Sequence, residues 1–335
     1  MNPACGLVLL GALVLSACLP SAGASPSPSS AIVSPSATAT SFPTTTPAPS
    51  PTPTAAAKRT PTPVAAERPS DLVVRHEGQG DTGFPVALAV VTADGRFVTR
   101  TDDNHLQERK LTPAGVQRVR DELAATGLFE RDQRYPLEVR PDATPPAHGI
   151  GAFLFKVWRD PRTIEVQTAT GQGAEEVYYQ PSAARTRLDQ LSKQLTRPET
   201  WLPANEWADA TPKAYEAATF ALLLRTEGGQ ANEQPKIDAL SAAWPFSVGP
   251  LDFGQTLPAS AGAQSDMTRC SVLTREDMVV VTNAIVRASG ADPVYTLADG
   301  TLLTSFAAAD NQARLVVLLR PLFPDRRSCT GEYPW

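Results

Sequence analysis

Beyond residue 71 the apolar positions either alternate in short runs or recur at helical spacing, and turn residues separate the two patterns. Residues 86–92 and 96–101 are two such runs on either side of Asp94-Gly95, and an Asp-Gly pair between strands is the turn chemistry of a tight β-hairpin. A helix is expected next. Thr112 is a good N-cap, Pro113 suits the first helical position and Gly127 supplies a stop. Val116, Val119 and Leu123 share one face of this helix, with Arg118, Arg120 and Glu122 turned away. Runs 152–158 and 163–166, joined through Asp160-Pro161, predict a second hairpin. After Pro181, Ala184, Leu188, Leu191 and Leu195 line up as a second helix that Pro198 ends.

The second half opens with a strand near 218–225 and a long irregular passage, 228–266, that contains Trp244-Pro245-Phe246. Thr274 with Asp277 makes a capping-box-like helix start; Met278, Val281, Ile285 and Ala288 form the buried face, and Gly290 stops it. Runs 294–297 and 301–306 flank Asp299-Gly300 as a further hairpin. Residues 314–320 are apolar without alternation, the pattern of a strand buried on both faces. Hairpins mixed with single packed helices, in place of strict strand–helix alternation, predict an α+β fold with mainly antiparallel sheets. Pro and polar residues over 196–213 predict a boundary between two lobes, 71–200 and 213–335. Both halves carry a Leu-Thr helix start (Leu111-Thr112, Leu273-Thr274) and an Asp-Gly hairpin, but in different order, which does not establish a duplication.

The amino terminus is of another kind. The apolar run 7–15 is too short for a bilayer, which takes about twenty helical residues, and it has the length of a signal-peptide core. It ends in Leu15-Ser16-Ala17-Cys18, and this stretch resembles the lipobox of bacterial lipoprotein signal peptides. The resemblance implies that residues 1–17 are removed and that Cys18 is lipidated and becomes the mature N-terminus. Residues 1–6 hold no Lys or Arg, a departure from the positive start of that class. Two or more acyl chains hold a protein firmly to a membrane, whereas one holds only marginally. The expected location is therefore the outer face of the cell membrane. The folded part is also similar to uncharacterised exported lipoproteins of high-GC bacteria. The carrying residues are the Asp94-Gly95 hairpin followed by Leu111-Thr112-Pro113-Ala114-Gly115, and Arg320-Pro321-Leu322-Phe323-Pro324-Asp325 before Cys329. That resemblance implies no activity.

Residues 18–70 are dominated by Pro, Ser, Thr and Ala, with too little apolar surface to offset ordering entropy, and read as a disordered stalk. Its prolines favour an extended spacer of up to roughly 3 Å per residue, long enough to hold the folded part about 100 Å from the lipid. Lys58-Arg59 within it reads as a protease-sensitive spot. Of the formal charge of −5, residues 1–70 hold three cations (Lys58, Arg59, Arg68) and one carboxylate (Glu67), so the remainder carries −7. An acidic body without a basic stripe argues against nucleic acid and against electrostatic adhesion to anionic lipid. Cys5 leaves with the signal peptide and Cys18 is the anchor, so Cys270 and Cys329 remain as an even pair expected to form a disulfide in an oxidising compartment. That pair alone is too few ligands for a metal.

Candidate chemistry is sparse. Gly78-x-Gly80-x-x-Gly83 matches a dinucleotide fingerprint, but Phe84-Pro85 leads into a strand where that site needs a helix N-terminus, so no cofactor is assigned. Asp81-Thr82-Gly83 is a single aspartic-protease triplet where two are needed. His76, His105 and His148 lack helical zinc spacing, and no G-x-S-x-G elbow accompanies them. Asp102-Asp103-Asn104 reads as a solvated loop in place of a calcium loop. No catalytic residue and no metal ligand is assigned. Trp201 and Trp207, in the connector, are the candidates for a sugar-stacking platform; Trp158 and Trp244 are expected in the core. The leading expectation is a non-catalytic binding or scaffold role at the cell envelope, with an envelope protein or glycan as partner. The alternatives are a small-ligand or glycan-binding protein with a cleft between the lobes, and a hydrolase with an unrecognised site.

Overall fold

The computed structural model of the chain describes residues 58–79, 85–144, 151–170, 175–227, 237–257, 268–290, 294–307 and 314–329. Cys18 and the stalk to residue 57, the Gly80–Gly83 loop and His148 lie outside them. The described residues form an α+β body with two sheets. The first contains β1 (Leu72–Gln79), β2 (Pro85–Thr92), β3 (Arg96–Arg100), β4 (Leu106–Lys110), β5 (Gln133–Tyr135), β6 (Gly151–Arg159), β7 (Arg162–Thr170) and β8 (Lys213–Ala214). The order is β5-β7-β6-β1-β2-β3-β4-β8, antiparallel except where β5 runs parallel to β7. Between them the chain forms α1 (Pro113–Ala125), α2 (Glu175–Tyr178) and α3 (Ala183–Thr196). The second sheet contains β9 (Thr219–Glu227), β10 (Gln255–Leu257), β11 (Thr268–Thr274), β12 (Tyr295–Thr296), β13 (Leu302–Ala307) and β14 (Arg314–Pro321), in the order β10-β11-β9-β14-β13-β12. Its helices are α4 (Asp238–Ala243) and α5 (Arg275–Ser289).

The local signals act as their chemistry requires. The hairpin glycine Gly95 has φ +88°, and a Cβ there would stand 2.7 Å from the Leu111 carbonyl oxygen, so both backbone angle and space demand glycine. Thr112 Oγ1 accepts from Gly115 N at 3.1 Å and opens α1; Thr274 Oγ1 accepts from Asp277 N at 3.3 Å and opens α5. A Cβ on Gly115 would meet the Glu206 carbonyl oxygen at 2.4 Å, which is how closely the connector after α3 approaches α1.

Each sheet buries one face under helices. On the first, Val74, Val91, Phe97, Phe155 and Val166 pack against Val119 and Leu123 of α1 and Leu188, Leu191 and Leu195 of α3. On the second, Leu222, Leu224, Val317 and Leu319 pack against Leu240 and Trp244, Phe246, and Val281 and Ile285 of α5. Truncating one large side chain in either cluster to Ala would cost about 3–5 kcal/mol. The segment after β14 covers the opposite face of both sheets. Leu322 and Cys329 join Ala221, Leu223 and Leu318, whereas Phe323 joins Leu72, Val90, Val98 and Leu106. This is why Leu315 to Leu319 of β14 are all buried: helices lie on one side and the returning chain on the other.

Three expectations change. The connector 196–213 is part of the first sheet's half: Leu202 and Trp207 enter its core, and β8 pairs with β4. The irregular passage contains α4 and β10. Residues 58–70, read from composition as the end of the stalk, lie on the folded body. Arg59 bridges to Phe246, with its N–H 2.9 Å from the Pro245 carbonyl oxygen and its own carbonyl accepting from Ser247 N at 3.1 Å. Its guanidinium and the Thr62 N–H donate to Asp277 at 2.5 and 2.7 Å, and Glu67 accepts from Arg327 N and the Ser328 hydroxyl at 2.7 Å. A Pro-rich segment can do this without a core of its own because backbone groups and a buried carboxylate supply its partners. Arg59, of the Lys58-Arg59 pair, is thus an attachment point.

Candidate functional site

A cleft of about 470 Å³ lies over the β3–β4 end of the first sheet. Its floor follows from strand register. Phe97 faces Arg109 and Thr99 faces Gln107 across the antiparallel pair, and alternation puts all four on the helix-bearing side. Here the helix layer is incomplete. α3 ends at Thr196, the chain turns away through Pro198, and Thr196 and Arg197 become a wall of the cleft. Trp207 closes the floor by lying over the Phe97–Arg109 pair, its ring centroid 5.8 Å from that of Phe97 and 4.2 Å from the Arg109 guanidinium carbon.

Arg109 is held firmly. Its Nε donates to the Asp209 carbonyl at 2.9 Å and its Nη2 to the Ala210 carbonyl at 2.8 Å, while no acceptor for Nη1 occurs among the described residues. Thr99 and Gln107 make no side-chain hydrogen bond among the described residues. Two other charged residues that touch the cleft are engaged elsewhere. Glu108 pairs with Arg96 at 2.8 Å, and Arg100 pairs with Asp299 at 3.1 Å across to the second sheet. Burial lowers the Arg100 pKa despite that partner.

The residues singled out from sequence are dispersed. Trp207 lines the cleft but is only 8% exposed, so its ring has no open face for a sugar. Trp201 packs at the edge of the first core and its indole N–H donates to the Gln194 carbonyl at 2.7 Å. Trp207 thus offers no open stacking face, and Trp201 is half-buried with its indole N–H engaged. Trp244 is in the core as expected, and Trp158 packs at the edge of the cluster around Phe323. Cys270 and Cys329 are disulfide-bonded, with Cα atoms 5.9 Å apart, and both are buried.

His76 is wholly buried on β1, stacked on Phe155, with Nε2 2.8 Å from Ser192 Oγ. Burial lowers its pKa to about 3, against opposing pulls from the Leu154 carbonyl and Glu77, so the ring is neutral and sealed from any substrate. His105 is exposed on the turn with Asp103, and among the described residues no three His, Cys, Asp or Glu side chains are placed to hold a metal. The strands β1 and β2 that flank the glycine loop pair antiparallel, the geometry of a strand connection and not of a dinucleotide cradle.

Sequence reasoning missed a buried ion network. Arg75 on β1 donates to Glu77 and, through Nη1, to Asp325 at 3.0 Å, and its guanidinium lies over Phe323; Lys156 and Arg326 approach Glu77 at 3.7 and 3.9 Å. Burial would raise the Glu77 pKa, but the charges of Arg75 and Lys156 and the Arg75 hydrogen bond outweigh it and hold the carboxyl below its usual range. This network fixes the tail to the first sheet. No helix among the described residues is long and apolar enough to cross a membrane. No family model, curated protein or solved structure matches the chain.

Proposed function

We propose that this chain is a lipid-anchored extracytoplasmic protein with a non-catalytic binding role at the cell envelope, Cys18 carrying the acyl chains and the β3–β4 cleft carrying the binding. The observation that bears the most weight is the cleft floor, where a guanidinium fixed by two backbone carbonyls stands beside a hydroxyl and a carboxamide that make no side-chain hydrogen bond among the described residues. Its volume of about 470 Å³ falls in the range of small-molecule sites, which favours a small ligand, or a terminal residue of a glycan, over a flat scaffold contact. The buried Cys270–Cys329 bond supports export, since disulfides persist in oxidising compartments.

The Cys18→Ala variant tests both parts. It should leave the membrane fraction, and full retention there would remove the anchor. Used as soluble bait against solubilised envelope, the same variant should recover a protein or glycan. Recovery of nothing above background would sink the binding role.

A further inference from the structure

We infer that the cleft recognises a carboxylate on a small hydroxylated molecule, with Arg109 as the carboxylate anchor and Thr99 and Gln107 as partners for the hydroxyls. This rests on the binding reading above and names the ligand class of that same site. The contrast among the arginines of β1, β3 and β4 carries the charge assignment. Arg75, Arg96 and Arg100 each meet a carboxylate of the protein. Arg109 meets two backbone carbonyls and an indole face but no carboxylate among the described residues. Its orientation is fixed before any ligand arrives, so little side-chain entropy is lost on binding, and a guanidinium edge is the natural counterpart of a carboxylate.

The neighbouring polar pair sets the rest of the ligand. Thr99 and Gln107 lie two positions along β3 and β4 from the Phe97–Arg109 pair, about 7 Å away on the same face. That separation suits a molecule with a carboxylate at one end and hydroxyls across a ring, such as a sugar acid. A hydroxyl and a carboxamide between them offer donors and acceptors but no charge. The rim adds Arg197, held only by a 3.5 Å contact to the exposed Asp102, together with the exposed Glu199. The two rim carboxylates, Asp102 and Glu199, disfavour a second negative charge on the part of the ligand that meets them.

The test uses the full-length chain in detergent, titrated with D-glucuronate, D-glucose and acetate by calorimetry, with tryptophan fluorescence as the second signal because Trp207 stacks against Arg109. Glucuronate should bind saturably at one site, with glucose and acetate each at least tenfold weaker. Arg109→Gln should weaken glucuronate at least tenfold. Because that change also loosens the Trp207 contact, Gln107→Glu is the second variant: it adds repulsion on a partly exposed floor and should abolish glucuronate binding with the thermal unfolding unchanged. Equal binding of glucose and glucuronate, indifference to Gln107→Glu, or no binding of glucuronate would each overturn the inference. Envelope capture by the Cys18→Ala bait in the face of those results would leave the binding role standing and only the ligand class refuted.

Discussion

The two sheets cover one face with helices in the same way but close the other face by opposite means. Behind the second sheet the returning tail lays Leu322 and the Cys270–Cys329 bond on Ala221, Leu223 and Leu318, an apolar and covalent closure. Behind the first it sets Phe323 on Leu72, Val90, Val98 and Leu106 and adds a network of buried charge from Arg75, Glu77, Asp325, Lys156 and Arg326. An apolar seal loses stability in proportion to what is removed. A charged one fails abruptly, because each deletion strands a partner in low dielectric. The second arrangement adds little net stability over an apolar replacement but specifies one seat for the tail.

The largest expected effect breaks that charged seal. Arg75→Ala should destabilise by about 3–5 kcal/mol in chemical denaturation, since Glu77 and Asp325 remain buried without their main cation. A loss under about 1 kcal/mol would mean that solvent reaches the network. Cys329→Ser comes next, at about 2–4 kcal/mol for a closed loop with its ends 59 residues apart. It should leave the helix layer of the first sheet intact by hydrogen exchange.

Acid sharpens the comparison further. The unfolded His76 takes up a proton near 6.5, whereas the folded ring resists until about 3, so the unfolded state binds more protons between those values. Stability should therefore fall as pH drops through that window, by at most about 1.4 kcal/mol per pH unit, with no contribution above it. Replacing the ring by His76→Gln should flatten the slope between pH 6 and 4.5, above the range in which Glu77 protonates. An unchanged slope would show that the titration lies elsewhere. The smallest test compares the helix layers. Thr112→Ala and Thr274→Ala should each cost about 1 kcal/mol, with Thr112 the larger because its hydroxyl also donates to the Glu206 carbonyl at 3.2 Å.

Legibility followed the same division. Elements punctuated by local chemistry were readable: the Asp94-Gly95 hairpin, the Thr112-Pro113 helix start, the Thr274 cap and the apolar β14 all appear where their residues put them. β4 was not, because Leu106-Gln-Glu-Arg-Lys has almost no apolar alternation and is held as a strand by β3. The cleft was lost with it, since Gln107 and Arg109 look like surface residues until register sets them beside Thr99 and Phe97. The tryptophans misled in the other direction. An aromatic in a Pro-rich connector looks exposed, but the connector folds back and makes Trp207 a lid over Phe97. Nothing in the sequence around Arg75 and Glu77 marks them as buried; a tail some 250 residues away covers them.

The attachment of Arg59 and Thr62 to Asp277 decides where mechanical load enters the body. With the chain moored at Cys18 as proposed, a drag on the body reaches the start of α5 before it reaches β1, thirteen residues further on. The contacts of Arg59 and Thr62 with α5 then take the strain first, ahead of the central strand of the first sheet and the cleft built two strands away from it.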